Sequence, residues 1–484
     1  MKKKQISKAM VVLKYSVVIK PVIGFILIVA LFTNCEDFLN VEPENVLIQE
    51  EFWKTKSDVM SVVAATYDAA REYTEQSFLL GEVRGDYVST NSGDYSAIGI
   101  NNISTTNSKV KWGTYYKVIN YANSVMYYAP LVQQDMDKTL TVPIVNQIKS
   151  EMLFLRSLSY FYLVRLWKDV PLVLRPTISD TVEFYIPTST EDVVLKQLVA
   201  DLELANTLAS ETTELGHANK YAIQALLADV YLWKEDYQSC IDYCDSIESA
   251  NYSLEPDTTM FNLYFPGNSQ KESLFEMQYS YVLKENDWGI YSIFNGITVN
   301  VTKMNFDNND RRKFGTKTPK WKYTGADEIG QVARTTVGYP DPNYIYYRYA
   351  DVIAMKAEAF VELSESNLPA ANDLLEELAI RGGGTATFVR TYSREDFRLV
   401  LLEERGREFG AEGKRWFDLL RVAKRNSFEN YQFLADILLA KAKNTQELNI
   451  MKSKVIDTMG YFLPIHEDEL KYNKNLKQNT AYSR

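Results

Sequence analysis

Few residues in this 484-residue chain are equipped for covalent chemistry, and the most telling is Cys35. It follows a short apolar run, Val22 to Phe32, and precedes two acids, Glu36 and Asp37. Lys2, Lys3, Lys4, Lys8, Lys14 and Lys20 lie upstream, with no acid among them. A basic segment and a short apolar segment make a secretory leader, too short for a comfortable membrane span. A cysteine at the cleavage position predicts lipidation: residues 1–34 are removed and Cys35 becomes an acylated N-terminus. Two or three acyl chains, at about 0.8 kcal/mol per buried methylene, hold a protein on a membrane. An ordinary secreted leader or an N-terminal anchor helix are the alternatives.

Catalytic chemistry is sparsely provided. The two histidines, His217 and His466, stand far apart, and His466-Glu467-Asp468-Glu469-Leu470 lacks the second histidine of a zinc-protease motif. Gly382–Gly384 follows a helical pattern and lacks the Lys-Ser/Thr of a phosphate loop, which predicts a helix cap and turn. No G-x-S-x-G elbow occurs. Cys240 and Cys244 share a helix face, but two cysteines without further ligands make a poor metal site and read as buried small residues. No cofactor, metal or disulfide framework is expected. Paired carboxylates that hydrolyse glycosides depend on geometry rather than spacing, so a lipid-anchored glycosidase stays as an alternative.

Binding chemistry is better supplied. Sugars need aromatic faces for their C–H side and amides, acids or arginine for their hydroxyls. Two loop regions offer this set. The first carries Arg84, Asp86, Tyr87, Tyr95 and Asn101; the second carries Tyr281, Asn286, Asp287, Trp288 and Tyr291. Packing beneath a long loop is the competing explanation for each ring.

Loss of six lysines with the leader carries the formal net charge from −10 to −16. That balance argues against nucleic acid, whose binding needs Lys and Arg on phosphates. The remaining 450 residues suffice for one large domain.

These side chains need a scaffold, and its periodicity is helical. Helices are expected over Glu50–Tyr73, Trp112–Tyr128, Val145–Trp167 and Glu191–Leu208, with a polar loop from Gly81 to Gly113. Tyr221–Trp233 and Tyr237–Ile247, joined by a tight turn and alanine-rich inside, follow the grammar of a tetratricopeptide pair. A second pair is expected at Ile345–Leu363 and Leu368–Arg381. Residues 251–340, rich in Gly, Asn and aromatics, predict loops with short strands. Helices Arg394–Phe409 and Glu412–Lys424 follow, then an extended end near Phe462–Ile465. The charged residues Glu404, Glu408, Arg415 and Asp418 suggest a structural helix-to-helix ion network.

Five blocks then carry a resemblance. Leu402–Arg421 (LEERGREFGAEGKRWFDLLR) resembles the ER…EF…EG.R..DL.R signature of the SusD/RagB family. Phe462–Tyr482 (FLPIHEDELKYNKNLKQNTAY) is similar to its C-terminal ending, with His466 and Ala481 as departures. Tyr347–Phe360 and Leu153–Val173 resemble two of its helices, and Cys35–Pro43 its mature start.

The resemblance implies a mainly α fold: tetratricopeptide-like helix pairs in a right-handed superhelical scaffold, an irregular loop-rich ligand face and a few short strands. The expected organisation is a leader over 1–34 and a single domain over 35–484. That domain comprises an N-terminal part (35–250), an aromatic insertion (251–340) and a C-terminal part (341–484). The resemblance further implies an outer-membrane lipoprotein facing the cell exterior. Such a protein captures oligosaccharide and passes it to a SusC-like TonB-dependent transporter. Capture of peptide or protein is the alternative cargo.

Overall fold

A computed structural model of the chain describes residues 52–91, 93–178, 185–212, 214–260, 263–265, 271–279, 296–313, 321–324, 342–384 and 393–483. Cys35 and the leader lie outside the described residues. From Trp53 onward the chain forms one compact unit.

Helix α1 (Lys56–Glu72) starts at a capping box. The Thr55 hydroxyl accepts from the Asp58 N–H at 3.2 Å, and the Asp58 carboxylate accepts from the Thr55 N–H at 2.7 Å. Two of the orphan donors at the helix start are thereby satisfied. Helix α2 (Thr74–Glu82) follows directly. The polar stretch expected as one loop is more ordered than that: it holds strand β1 (Val88–Thr90) and helix α3 (Gly93–Gly99).

Helices α4 (Gly113–Leu131) and α5 (Val142–Trp167) come next. Every residue of α5 from Ser150 to Trp167 is buried, so apolar residues recur around the whole helix and the polar ones need partners. Its two inward arginines are matched. Arg156 reaches Asp201 at 2.7 Å and Asn123 at 2.6 Å. Arg165 lies over Phe161 and Phe417 and pairs with Asp229 at 3.4 Å.

Short strands β2 (Val170–Pro171) and β3 (Thr188–Ser189) pair with each other. Then α6 (Glu191–Leu208), α7 (Lys220–Trp233) and α8 (Tyr237–Glu248) stack, each helix on the one before it. Fully buried Ala222, Ala225 and Ala228 allow the close approach in α7. Cys240 and Cys244 are free and buried, Cys240 against the Met355 carbonyl.

The second helix pair is shorter than expected. Tyr344–Arg348 is strand β6, antiparallel to β4 (Ser273–Met277), and helix α9 begins only at Tyr349 and runs to Leu363. The run Tyr-Ile-Tyr-Tyr-Arg is buried throughout, and aromatic and β-branched side chains suit a pleated, covered strand. Helix α10 (Leu368–Arg381) ends at Gly382, and Gly383 takes φ +78°, the turn predicted for the glycine triplet. Ala350, Ile353, Ala354 and Ala357 of α9 share a core with Leu375 and Leu378 of α10 and Phe397 and Leu401 of α11 (Arg394–Phe409).

Helix α12 (Arg415–Phe428) starts three residues later than expected, after a turn in which Ala411 and Gly413 have φ of +63° and +75°. Its helical backbone breaks at Arg425–Ser427, close to the expected end at Lys424. Two further helices were not expected: α13 (Tyr431–Leu439) and α14 (Thr445–Val455). Both are short, and between them they bury only Leu434, Ala435, Leu438, Met451 and Val455. The short helix α15 (Glu467–Tyr472) closes the fold. The architecture is mainly helical with a few short strands, and its helices stack neighbour on neighbour.

Candidate functional site

Strand β5 (Ile297–Val299) pairs antiparallel with β1, Val88 opposite Val299 and Thr90 opposite Ile297. The pairing ties the polar stretch 84–101 to the C-terminal flank of the aromatic stretch 261–294. The junction is reinforced by side-chain and backbone bonds. Thr90 Oγ1 donates to the Gly296 carbonyl at 2.6 Å, and the Asn300 N–H donates to the Tyr87 carbonyl at 2.7 Å. Both strands bury their outer residues and expose the middle one, so Ser89 and Thr298 hold the solvent side.

The first-loop candidates sit around this junction, but they face inward. Arg84 is buried, with its guanidinium 3.9 Å over the Trp416 ring and donating to the Tyr461 carbonyl at 2.7 Å. Burial pushes its pKa down to about 10. Asp86 is held in a bidentate pair by Arg415, at 2.7 and 3.0 Å. The same guanidinium lies 4.0 Å from the centroid of buried Tyr87. Tyr95 is buried with Lys109 Nζ 4.9 Å from its ring centroid. Asn101 is buried at φ +55°, with neither amide atom hydrogen-bonded. A paired carboxylate or a covered ring offers a sugar little. Arg84, Asp86, Tyr87 and Tyr95, expected as ligand contacts, are in this structure packed against partners within the protein and brace the loop. Tyr281, Asn286, Asp287, Trp288 and Tyr291 lie outside the described residues.

The ion network expected in the charged C-terminal string exists, with different partners. Arg348 is its hub and is fully enclosed. Its Nη1 donates to Glu272 at 2.7 Å and Glu408 at 2.6 Å, while Nε and Nη2 hold both oxygens of Glu412 at 3.1 and 2.9 Å. Arg312 donates to Glu404 at 2.6 Å, Glu408 at 3.0 Å and Asp310 at 2.7 Å. Arg381 also pairs with Glu408, and Lys322 with Glu412. Burial alone would push Glu408 up; the surrounding Arg381, Arg348 and Arg312 instead hold it well below the usual carboxylate range.

A second knot centres on Glu358. Arg421 grips it bidentately at 2.8 and 2.7 Å, Arg425 adds a third contact, and Asp418 bridges Arg405 and Arg421 at 2.8 Å each. Arg415, expected beside Asp418, is spent on Asp86. Arg312, Arg348, Glu272 and Lys322 were not singled out in the sequence. They come from the strand-and-loop region and meet the helical string only through the fold.

These carboxylates are occupied by guanidinium and ammonium groups, which leaves little for acid–base work. The histidines are likewise engaged. His217 Nδ1 meets Glu151 at 2.7 Å, a bond that raises its pKa against the opposing effect of burial. His466 Nδ1 accepts from the Asp468 N–H at 3.1 Å and caps α15. Among the described residues, no group of three or more His, Cys, Asp or Glu could hold a metal ion. Among the same residues, no helix is long and apolar enough to cross a membrane.

Comparisons with known proteins agree with this architecture. Residues 210–482 match the profile of the SusD family, and residues 37–232 match a family described as starch-binding, associating with the outer membrane. SusD-like protein P38 of Formosa agariphila is 25% identical over 468 residues, covering 83% of this chain and 91% of that protein. A SusD superfamily crystal structure from Bacteroides vulgatus superposes with a TM-score of 0.71 at 21% identity, over 89% of this chain and all of the other. The structure of Bacteroides fragilis NanU gives 0.67 at 22% identity, over 92% of this chain and all of that one. Likeness at these identities establishes the fold.

Proposed function

The chain belongs to the SusD family, and from that premise we propose that it is a surface lipoprotein that captures oligosaccharide and delivers it to a SusC-like TonB-dependent transporter. The observation that carries the reading is the match of its N-terminal part to a starch-binding family that associates with the outer membrane. Cys35 is the proposed anchor, behind its basic and apolar leader. Trp288, with Tyr281, Tyr291, Asn286 and Asp287, is the proposed stacking platform. The β1–β5 ladder supports this placement by fixing one flank of that stretch beside the 84–101 loop.

The decisive experiment is calorimetry of the purified chain against a panel of oligosaccharides and peptides. A ring-to-sugar contact contributes on the order of 1 kcal/mol, by analogy with aromatic pairs. Trp288→Ala should therefore weaken glycan binding severalfold while the melting temperature stays put. Normal binding with melting several degrees lower would make Trp288 a packing residue, and binding of peptides alone would reassign the cargo. Mild detergent extraction should recover the chain with a TonB-dependent barrel. Cys35→Ala should abolish acyl labelling and release the chain from the membrane.

A further inference from the structure

The connection from α6 to α7 lies away from the β1–β5 junction and forms one wall of a cleft of about 350 Å³, whose lining also includes residues of β4. The bonds that fasten this wall converge on one carboxylate. Glu151 of α5 is buried. Its Oε2 accepts from the Tyr67 hydroxyl of α1 at 2.6 Å and meets His217 Nδ1 at 2.7 Å, while its Oε1 accepts from Gln147 Nε2 at 3.0 Å. These partners hold the connection in turn. The Tyr67 hydroxyl accepts from the Ala218 N–H at 3.1 Å, and Gln147 Oε1 accepts from the Ser210 N–H at 2.8 Å. The base is closed by the Lys220 N–H, which donates to the Ser210 carbonyl at 2.9 Å.

The counter-charge differs from that of the other buried acids. Glu408 and Glu412 are matched by arginine and lysine, whose charge is constant over the ordinary pH range. Among the described residues no arginine or lysine pairs with Glu151, and its cationic partner is His217. A buried carboxylate left without a counter-charge is costly. An imidazole supplies that charge only when protonated, and it changes state between pH 5 and 8. With 34% of its side chain exposed, His217 can exchange its proton with solvent.

We propose that Glu151 and His217 form a pH-sensitive clasp: protonated His217 holds the α6–α7 connection against α1 and α5, and the hold slackens when the imidazole loses its proton. The groups around the ring set the direction. The bond to Glu151 and the charges of Glu151 and Glu214 favour the proton, while burial and Arg71 of α1 oppose it, and His217 comes out above its usual 6.5. The Tyr67 ring lies 4.6 Å away, and burial keeps its hydroxyl neutral by raising it well above 10. The clasp therefore contributes fully below about 6.5, and its contribution is lost as pH rises through the higher folded value. A neutral imidazole can still donate from Nδ1, but a charge-assisted bond is roughly twice as strong, so the connection loosens without unfolding. The inference does not depend on the cargo proposed for the aromatic face.

The test is a pH titration of the purified chain. It holds only two histidines, so proton NMR resolves both rings and His217→Gln assigns them. His217 should titrate above 6.5. Hydrogen exchange read by mass spectrometry, as protection factors corrected for intrinsic base catalysis, should show residues 214–220 losing protection threefold or more across that midpoint. Residues 225–230 of α7 should keep theirs. Glu151→Gln should lower the His217 midpoint and flatten the pH dependence of protection at 214–220, which a merely structural role would not do. Should that variant fail to fold by circular dichroism, His217→Gln serves instead, with protection at 214–220 low and flat from about pH 6 to 8.5. A His217 midpoint at or below 6.5 would overturn the proposal. So would protection at 214–220 that does not follow the titration, or that keeps its pH dependence in the folded variants.

Discussion

The inner faces of the α7, α8 and α9 stack and the corner around Arg348 are both buried, yet they are built from opposite materials. In the stack, Ala222, Ala225, Ala228, Ala350, Ala354 and Ala357 bring backbones together through methyl groups. Such contacts are non-directional and tolerate small changes of volume. At the corner, Glu272 beside β4, Arg348 of β6, Arg381 of α10, Arg312, and Glu408 and Glu412 around the end of α11 are joined by directed bonds. Each member satisfies two or three others, so the loss of one strands several charges in a dry interior. The stack supplies area, and the corner fixes which strand, loop and helix end must meet.

The contrast can be broken most decisively at the hub. Arg348→Met leaves Glu272, Glu408 and Glu412 short of a cation and should destabilise by about 4 kcal/mol, in the range for a broken buried pair. Urea denaturation read by circular dichroism measures it; a loss below about 1 kcal/mol would mean the corner is not held by its charges.

The next effect is a gain. Burial pushes Glu82 up to about 8, although the Gly413 N–H and Lys322 draw it down. The folded chain then keeps a proton that the unfolded chain releases near 4.5. Stability therefore falls as pH rises from about 4.5 toward 8. Glu82→Gln should remove that decline, gaining about 4 kcal/mol at pH 8 and nothing near pH 4. Glu358 works in the opposite direction. It is buried, which raises a carboxyl, but Arg421, Arg425 and Arg405 hold it at about 2. Its contribution is complete above about 4.5 and is lost as pH falls toward 2. Denaturation midpoints across pH 3–9 test both slopes.

The smallest effect belongs to the stack. Ile223→Val, at a fully buried position of α7, should cost about 1 kcal/mol. A cost equal to that of Arg348→Met would erase the distinction between the regions.

Most helices could be read locally. Glu191–Leu208, Leu368–Arg381 and Arg394–Phe409 have the expected bounds because their apolar period and flanking signals lie within the segment. Strand β6 could not be read so, because its pairing partner β4 is remote in sequence. The site was less legible for the same reason. Asp86 and Tyr87 have the types that bind sugar, yet Arg415, 329 residues beyond Asp86, claims the first and covers the second. Residue type announces what a side chain can do, while exposure depends on partners that composition does not name.

The β4–β6 pair also bears on how this molecule could be altered. Strand β4 ends at Met277 and β6 begins at Tyr344, and those two residues sit opposite each other in the ladder. Everything between them departs from and comes back to one point, beside a corner locked by Arg348 and Glu272. Closing a longer excursion between fixed ends costs only about 0.6 kcal/mol per doubling of its length. The ladder therefore works as a socket. A segment of different length and side chains could be transplanted between Met277 and Tyr344, provided its attachments at β5 and the buried pairs of Arg312 and Lys322 were kept or replaced.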